Sequence, residues 1–180
     1  MEDTRRRIVE ATVGLMQREP YDAVQMRDVV KAADVAIATV YRHFGSKDHL
    51  LAASLLSWSE RFPDDVRRTS SADATSLEEI KACYGRAVRS FERYPSVYTH
   101  LDALRTTEDT EARALYRQFA DRQHEAFGVS LRRLRPERRA RIVAVMDAVL
   151  DTNLREWSVG NKPIGDVLAA VDSAADLLLD

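Results

Sequence analysis

A single cysteine, Cys83, leaves the chain without an intrachain disulfide, and no segment approaches the roughly 18 consecutive apolar residues of a membrane span. The N-terminus runs Met1-Glu2-Asp3 and then into Arg5, Arg6 and Arg7, with no apolar core of a secretory signal. The expected compartment is therefore a reducing cytoplasm, with no membrane partner. Glycine and proline are scarce as well, six and five in 180 residues, about half their usual share. Tight turns are few, which favours long helices. Charge of one sign is also missing: 27 Lys and Arg face 29 Asp and Glu for a net charge of -2, so composition alone gives no sign of attraction to nucleic acid. No Gly-rich phosphate loop, HExxH, CxxC or GxSxG occurs, and His43, His49, His100 and His124 are scattered. No enzyme chemistry, metal site or cofactor is expected from that inventory.

What is present is a hydrophobic content of 45% with 31% charged residues, enough for a packed core. Apolar side chains recur with a 3.6-residue period almost everywhere, and no sustained alternation marks a strand. The expectation is an all-α fold of about nine helices, near 4–18, 25–33, 36–43, 47–61, 77–93, 95–105, 109–133, 137–159 and 163–179. Thr4 is the candidate N-cap of the first, whose buried stripe reads Ile8, Ala11, Thr12, Leu15 and Met16. Pro95, Pro136 and Pro163 fall where a first-turn proline is favourable. The sequence divides into a three-helix unit over residues 1–46, a connecting helix over 47–62 and a helical domain over 63–180. The polar stretch from Asp64 to Ser76 links them.

Between the second and third helices lies Ala33-Asp34-Val35. Asp tolerates a left-handed backbone better than most residues, so a tight helix-turn-helix corner is sterically accessible there. The helix beyond it carries small residues, Ala36, Ile37, Ala38 and Thr39, which let its backbone approach base edges in a major groove. Tyr41, Arg42 and His43 have the reach and donors to hold phosphates beside that groove, and Lys47 stands at the positive end of the next helix. Ser46 can cap that next helix.

The segment Thr39-x-Tyr41-x-x-Phe44-x-x-Lys47-x-x-Leu50, with Arg27-Asp28-Val29 upstream, closely resembles the N-terminal domain of the TetR family of transcriptional regulators. Asp34 stands where that family commonly has a turn glycine, Ala36 where it has a serine cap, and Ala38 where it has a glycine. Loss of the serine cap costs the recognition helix about 1 kcal/mol. The Ala33-to-Ala36 corner is similar to actinobacterial regulators of steroid and cholesterol catabolism, as, more loosely, are Phe91-x-x-Tyr94-Pro95 and Asn153-Leu154-x-x-Trp157. That resemblance implies a repressor released from its operator by a steroid-derived CoA thioester. The candidate DNA-contacting set is Gln25, Arg27, Ala36, Ile37, Ala38, Thr39, Tyr41, Arg42, His43 and Lys47. Arg5, Arg6 and Arg7 read equally as a phosphate-gripping arm or as a solvated helix start.

In the C-terminal domain, polar residues interrupt apolar stripes: His100 among Val97, Leu101 and Leu104; Gln123 among Tyr116, Phe119 and Phe127; Asn153 among Val145, Met146, Val149 and Trp157. An unpaired buried polar group costs about 1 to 3 kcal/mol, so each needs a partner. Internal pairing is the commoner explanation for any one of them, but three on core faces favour a ligand cavity. Its candidate lining is Tyr84, Phe91, His100, Tyr116, Phe119, Gln123, Asn153 and Trp157, for a small apolar effector. The last helix has a wide apolar face, Ile164, Val167, Leu168, Val171, Ala174, Ala175 and Leu178, which the previous helix and a second copy of the chain would cover. A homodimer suits a double-stranded, palindromic operator, since recognition helices must sit about one duplex turn apart. The alternative reading is a helical small-molecule carrier with little DNA affinity, given eight cations against eight acids in the first 50 residues.

Overall fold

The structure, a computed structural model, describes residues 2–60 and 75–179. Among the described residues there are nine α-helices and no strand, as the scarcity of glycine and proline predicted. They are α1 (Glu2–Met16), α2 (Met26–Ala33), α3 (Ile37–His43), α4 (Lys47–Ser59), α5 (Ser76–Arg93), α6 (Pro95–Arg105), α7 (Thr110–Val129), α8 (Pro136–Ser158) and α9 (Ile164–Leu179). None is long and apolar enough to cross a membrane. The chain forms two compact units, Met1–Arg61 with Tyr94–Ala120 and Phe62–Arg93 with Asp121–Asp180. Compactness thus groups α6 and the first half of α7 with the N-terminal helices, whereas the sequence reading placed them beyond residue 63.

In the first unit, α1 packs against α2 and α4. Ile8, Val13, Met16, Val29, Val40, Phe44 and Leu50 fill the space between them. The buried stripe of α1 is Ile8, Val9, Thr12, Val13 and Met16, while Ala11 and Leu15 are only half-buried. Helix α1 has partners on two sides, and this rotates the buried face towards Val9 and Val13. It also starts at Glu2, so Thr4 lies inside the first turn and is not its cap. Helix α4 buries nine of its 13 residues, too many for an amphipathic surface helix, and is the centre of the unit.

In the second unit, α9 lies against both α8 and α5 through Val167, Val171 and Ala175. Helix α5 therefore covers part of the face expected to need a second subunit. Helix α8 buries Ile142, Val143, Met146, Leu150 and Leu154. The expected stripe through Val145, Val149, Asn153 and Trp157 is rotated out: Val145 is 46% exposed, and Val149, Asn153 and Trp157 are half-buried. Pro95 and Pro136 begin their helices, and Pro163 sits just before α9, lending its carbonyl to the N–H groups of Asp166 and Val167. Most of the expected linker 64–76 lies outside the described residues. Its end is a capping box: the Thr75 N–H donates to Glu78 Oε2 at 2.8 Å, and the Glu78 N–H donates to Thr75 Oγ1 at 3.2 Å.

Candidate nucleic-acid interface and sensor residues

The corner between α2 and α3 is built on Asp34, whose φ of 50° and ψ of 58° are left-handed; it is the only described non-glycine residue with positive φ. A side chain in that conformation costs about 1 kcal/mol relative to glycine. Arg7 supports the corner, its guanidinium donating to the carbonyls of Ala33 at 2.7 Å and Asp34 at 3.2 Å. These are carbonyls at the C-terminal end of α2, where a cation also complements the helix dipole. Arg6 pairs with Asp3 at 2.6 Å, and Arg5 lies 4.9 Å over the Phe44 ring. All three N-terminal arginines thus have intramolecular partners, a use that the charge pattern could not distinguish from a phosphate arm.

Helix α3 follows, with Ala36 at its N-cap making no side-chain hydrogen bond. Val40 and Phe44 anchor it in the core. The opposite face presents Ala36, Ala38, Ile37 at 45% exposure, Tyr41 at 52% and Arg42. Two large apolar or aromatic side chains left in solvent on a seven-residue helix mark a surface shaped for contact. Thr39 is half-buried on the same helix. Gln25, extended at the N-cap of α2, and Arg27 are exposed. His43 is less available: its Nε2 is buried without a partner and its ring lies beside that of Phe44.

Lys47 has work inside the fold. Its ammonium donates to the Tyr21 carbonyl at 2.6 Å and sits 4.3 Å over the Tyr21 ring. Around it a polar network ties the N-terminus of α4 to the turn between α6 and α7. The Tyr21 hydroxyl donates to Asp48 Oδ1 at 2.5 Å, and the Thr107 hydroxyl donates to Asp48 Oδ2 at 2.6 Å. Burial and Asp48 push the Tyr21 phenol up to about 12, so it remains a donor through the neutral range. The Tyr21 N–H donates to Thr99 Oγ1 at 2.9 Å. His100 is fully buried with Nε2 2.9 Å from the Glu19 carbonyl, which makes Nε2–H the donor. Burial lowers its pKa and keeps the ring neutral. Sequence reasoning missed Tyr21, Asp48, Thr107 and Asp109, since a hydrogen-bond network between distant segments leaves no periodic signal.

The sensor candidates divide between the units. His100, Tyr116 and Phe119 belong to the first; Tyr84, Phe91, Gln123, Asn153 and Trp157 to the second. Two of the three polar interruptions have internal partners. His100 bonds to Glu19, and the Asn153 amide donates to the Val149 carbonyl at 2.7 Å and accepts from Lys162. For these two, internal pairing accounts for the polar interruption, which leaves Gln123 alone of the three to argue for a cavity. Within the second unit, Tyr84 and Phe127 stack with centroids 4.0 Å apart. The buried Tyr84 hydroxyl donates to Asp147 Oδ1 at 2.6 Å, and Asp147 Oδ2 lies 3.1 Å from His124 Nδ1. Phe91 is buried on the same face of α5, and Gln123 is half-buried on α7.

Residues 8–54 match the family model described as bacterial regulatory proteins, tetR family. The chain is 30% identical over 178 residues to the HTH-type transcriptional repressor KstR of Mycobacterium tuberculosis, covering 98% of this chain and 81% of that protein. A TetR transcriptional regulator from Rhodococcus sp. RHA1 superposes with a TM-score of 0.78 at 23% identity, over 99% of this chain and 96% of that one. Thermus thermophilus FadR, solved in complex with lauroyl-CoA, superposes with a TM-score of 0.77 at 17% identity, over 97% and 93%.

Proposed function

Because the chain belongs to the TetR family of bacterial regulatory proteins, and is a DNA-binding regulator rather than an enzyme, we propose that it is a repressor. In this reading it binds a palindromic operator as a homodimer and is released by a small apolar effector, with an acyl or steroid CoA thioester as the favoured class. The observation that carries the reading is the outward face of α3, where Ile37, Ala38, Tyr41 and Arg42 stand clear of a core held by Val40 and Phe44. Ala36, Ile37, Ala38 and Thr39 meet base edges, while Tyr41, Arg42, Gln25, Arg27 and Lys47 meet phosphates. Residues 1–46 act as the reader, 47–62 as the connection and 63–180 as the sensor and dimerisation part. The two-fold contact uses α8 and α9, where Val145 and Leu177 are 46% and 87% exposed.

Near-full-length similarity to the repressor KstR supports the repressor role, and the lauroyl-CoA held by T. thermophilus FadR, a protein of the same fold, supports the effector class. A ligand that prefers a dimer with a different spacing of α3 lowers operator affinity by the ratio of its affinities for the two states. Selection from a random duplex pool tests the function. Enrichment of an inverted repeat, with affinity falling steeply as salt rises, is the expected result. A pool that yields no common sequence at low salt would favour a carrier without DNA affinity.

A further inference from the structure

The cations of the chain are unevenly placed. Residues 132–141 hold six arginines and one acid, Glu137, while the other 170 residues hold 21 cations against 28 acids. This segment is the turn after α7 and the first two turns of α8, all within the second unit. Arg132, Arg133, Arg135, Arg138 and Arg141 are exposed, and Arg139 is half-buried. Arg132 is matched by buried Glu79 at 3.4 Å. Arg135, Arg139 and Arg141 have no acidic partner among the described residues.

The placement opposes the helix dipole. Arg138, Arg139 and Arg141 lie near the positive end of α8, where cations weaken a helix and an anion strengthens it. A solvated face would be served by mixed charges or by lysine. A run of guanidiniums instead provides planar two-pronged donors suited to phosphate oxygens. Gly128 brings the cluster next to the aromatic pair. A Cβ at Gly128 would stand 3.7 Å from the Arg139 Cδ, in ordinary contact, so the Arg139 stem lies against α7 one residue beyond the Phe127 that stacks on Tyr84. The arginine cluster therefore reaches, through Arg139, the stretch of α7 that carries Phe127.

We infer that the Arg132–Arg141 segment is a phosphate-binding site that holds the phosphorylated nucleotide end of a coenzyme A thioester. The assignment rests on the effector class proposed above, and it adds the residues that recognise the charged half of that effector. Arg135 and Arg141, exposed and without acidic partners, make the principal contacts.

Titration calorimetry on the full-length chain tests it with four probes: coenzyme A, 3′-dephospho-coenzyme A, lauroyl-CoA, and S-lauroyl-N-acetylcysteamine, which keeps the acyl thioester without the nucleotide. The wild type should bind coenzyme A more tightly than its dephospho form. The variant Arg135→Gln/Arg141→Gln should lose about tenfold or more in affinity for coenzyme A and lauroyl-CoA, with affinity for the N-acetylcysteamine thioester unchanged. Equal coenzyme A binding by wild type and variant overturns the site, even where both take up the acyl probe. Binding of coenzyme A through these arginines without any uptake of the acyl probe keeps the site and overturns the acyl effector. If the variant loses affinity for random duplex DNA while coenzyme A binding is unaltered, the cluster is a nucleic-acid contact and the inference fails. Both substitutions are on exposed side chains, and circular dichroism melting confirms that the fold is unaltered.

Discussion

Ser46 and Asp109, the N-caps of α4 and α7, are hydrogen-bonded to each other. The Ser46 hydroxyl donates to Asp109 Oδ2 at 2.5 Å, while its oxygen accepts the His49 N–H at 3.0 Å and Asp109 Oδ1 accepts the Ala112 N–H at 2.9 Å. One pair of side chains therefore starts two helices and fixes the end of the recognition region to the turn that leads into α7. Hydrogen bonding holds the Asp109 carboxyl below its usual range. Ser46→Ala and Asp109→Ala should each destabilise by about 1 to 2 kcal/mol, and the double variant should cost less than their sum by about 0.5 to 1 kcal/mol. Urea denaturation of the four-member cycle decides it; strict additivity would mean that the caps act independently.

The left-handed corner predicts opposite signs for two substitutions. Asp34→Gly relieves the side-chain penalty and should stabilise by about 0.5 to 1 kcal/mol, whereas Asp34→Val, β-branched at positive φ, should destabilise by about 1 kcal/mol or more. Both leave the carbonyls that Arg7 grips in place. Equal melting temperatures for the two variants would contradict this account of the corner.

Tyr41 and Lys47 separate contact from support. Tyr41 is exposed, so Tyr41→Phe should weaken DNA binding across sequences without changing the melting temperature. Lys47→Ala removes the brace on Tyr21 and should lower both, with a stability loss of about 1 kcal/mol. Fluorescence anisotropy on duplex DNA, read beside thermal melts, distinguishes the pair. A Lys47→Ala protein of wild-type stability would show that the brace contributes nothing.

His100 makes the fold acid-sensitive. Burial depresses its pKa below the ordinary 6.5, so the unfolded chain takes up a proton first as pH falls. Its contribution is intact above about pH 6.5 and declines below it towards the lowered value. Unfolding free energies measured between pH 7.5 and 5 should fall more steeply for the wild type than for His100→Gln, which keeps an N–H donor for the Glu19 carbonyl. Parallel curves would remove His100 as the cause.

Val145 tests the proposed two-fold contact. It is exposed on the chain itself, so Val145→Glu should leave the helical content intact and shift the species from dimer to monomer in light scattering. A variant that stays dimeric would place the interface elsewhere.

The helix-turn-helix corner was legible because its signals are local. Asp34, Ala36 and the capping role of Ser46 act through backbone geometry or a partner within three residues, which sequence reports directly, whereas the bond of Ser46 to Asp109 spans 63 positions and leaves no local signal. The helices beyond residue 63 were less legible. Helix α8 has two overlapping apolar stripes that share Ile142 and Met146, and only its neighbours decide whether Val145 or Val143 turns inward. His100 looked unsatisfied because its partner is a backbone carbonyl 81 positions away, which no side-chain pattern records.

The brace at Lys47 has a thermodynamic corollary. An ammonium carries three N–H donors, and the Tyr21 carbonyl takes one, so two remain for other acceptors. In the proposed DNA contact, a phosphate at Lys47 would add a second fixed point to a side chain that already secures the segment before α2. By reciprocity, such a contact would order that segment as much as the order of the segment would favour DNA. Hydrogen-exchange protection of the Tyr21 amide, which donates to Thr99 Oγ1 in the braced segment, would in the proposed DNA contact rise with operator occupancy.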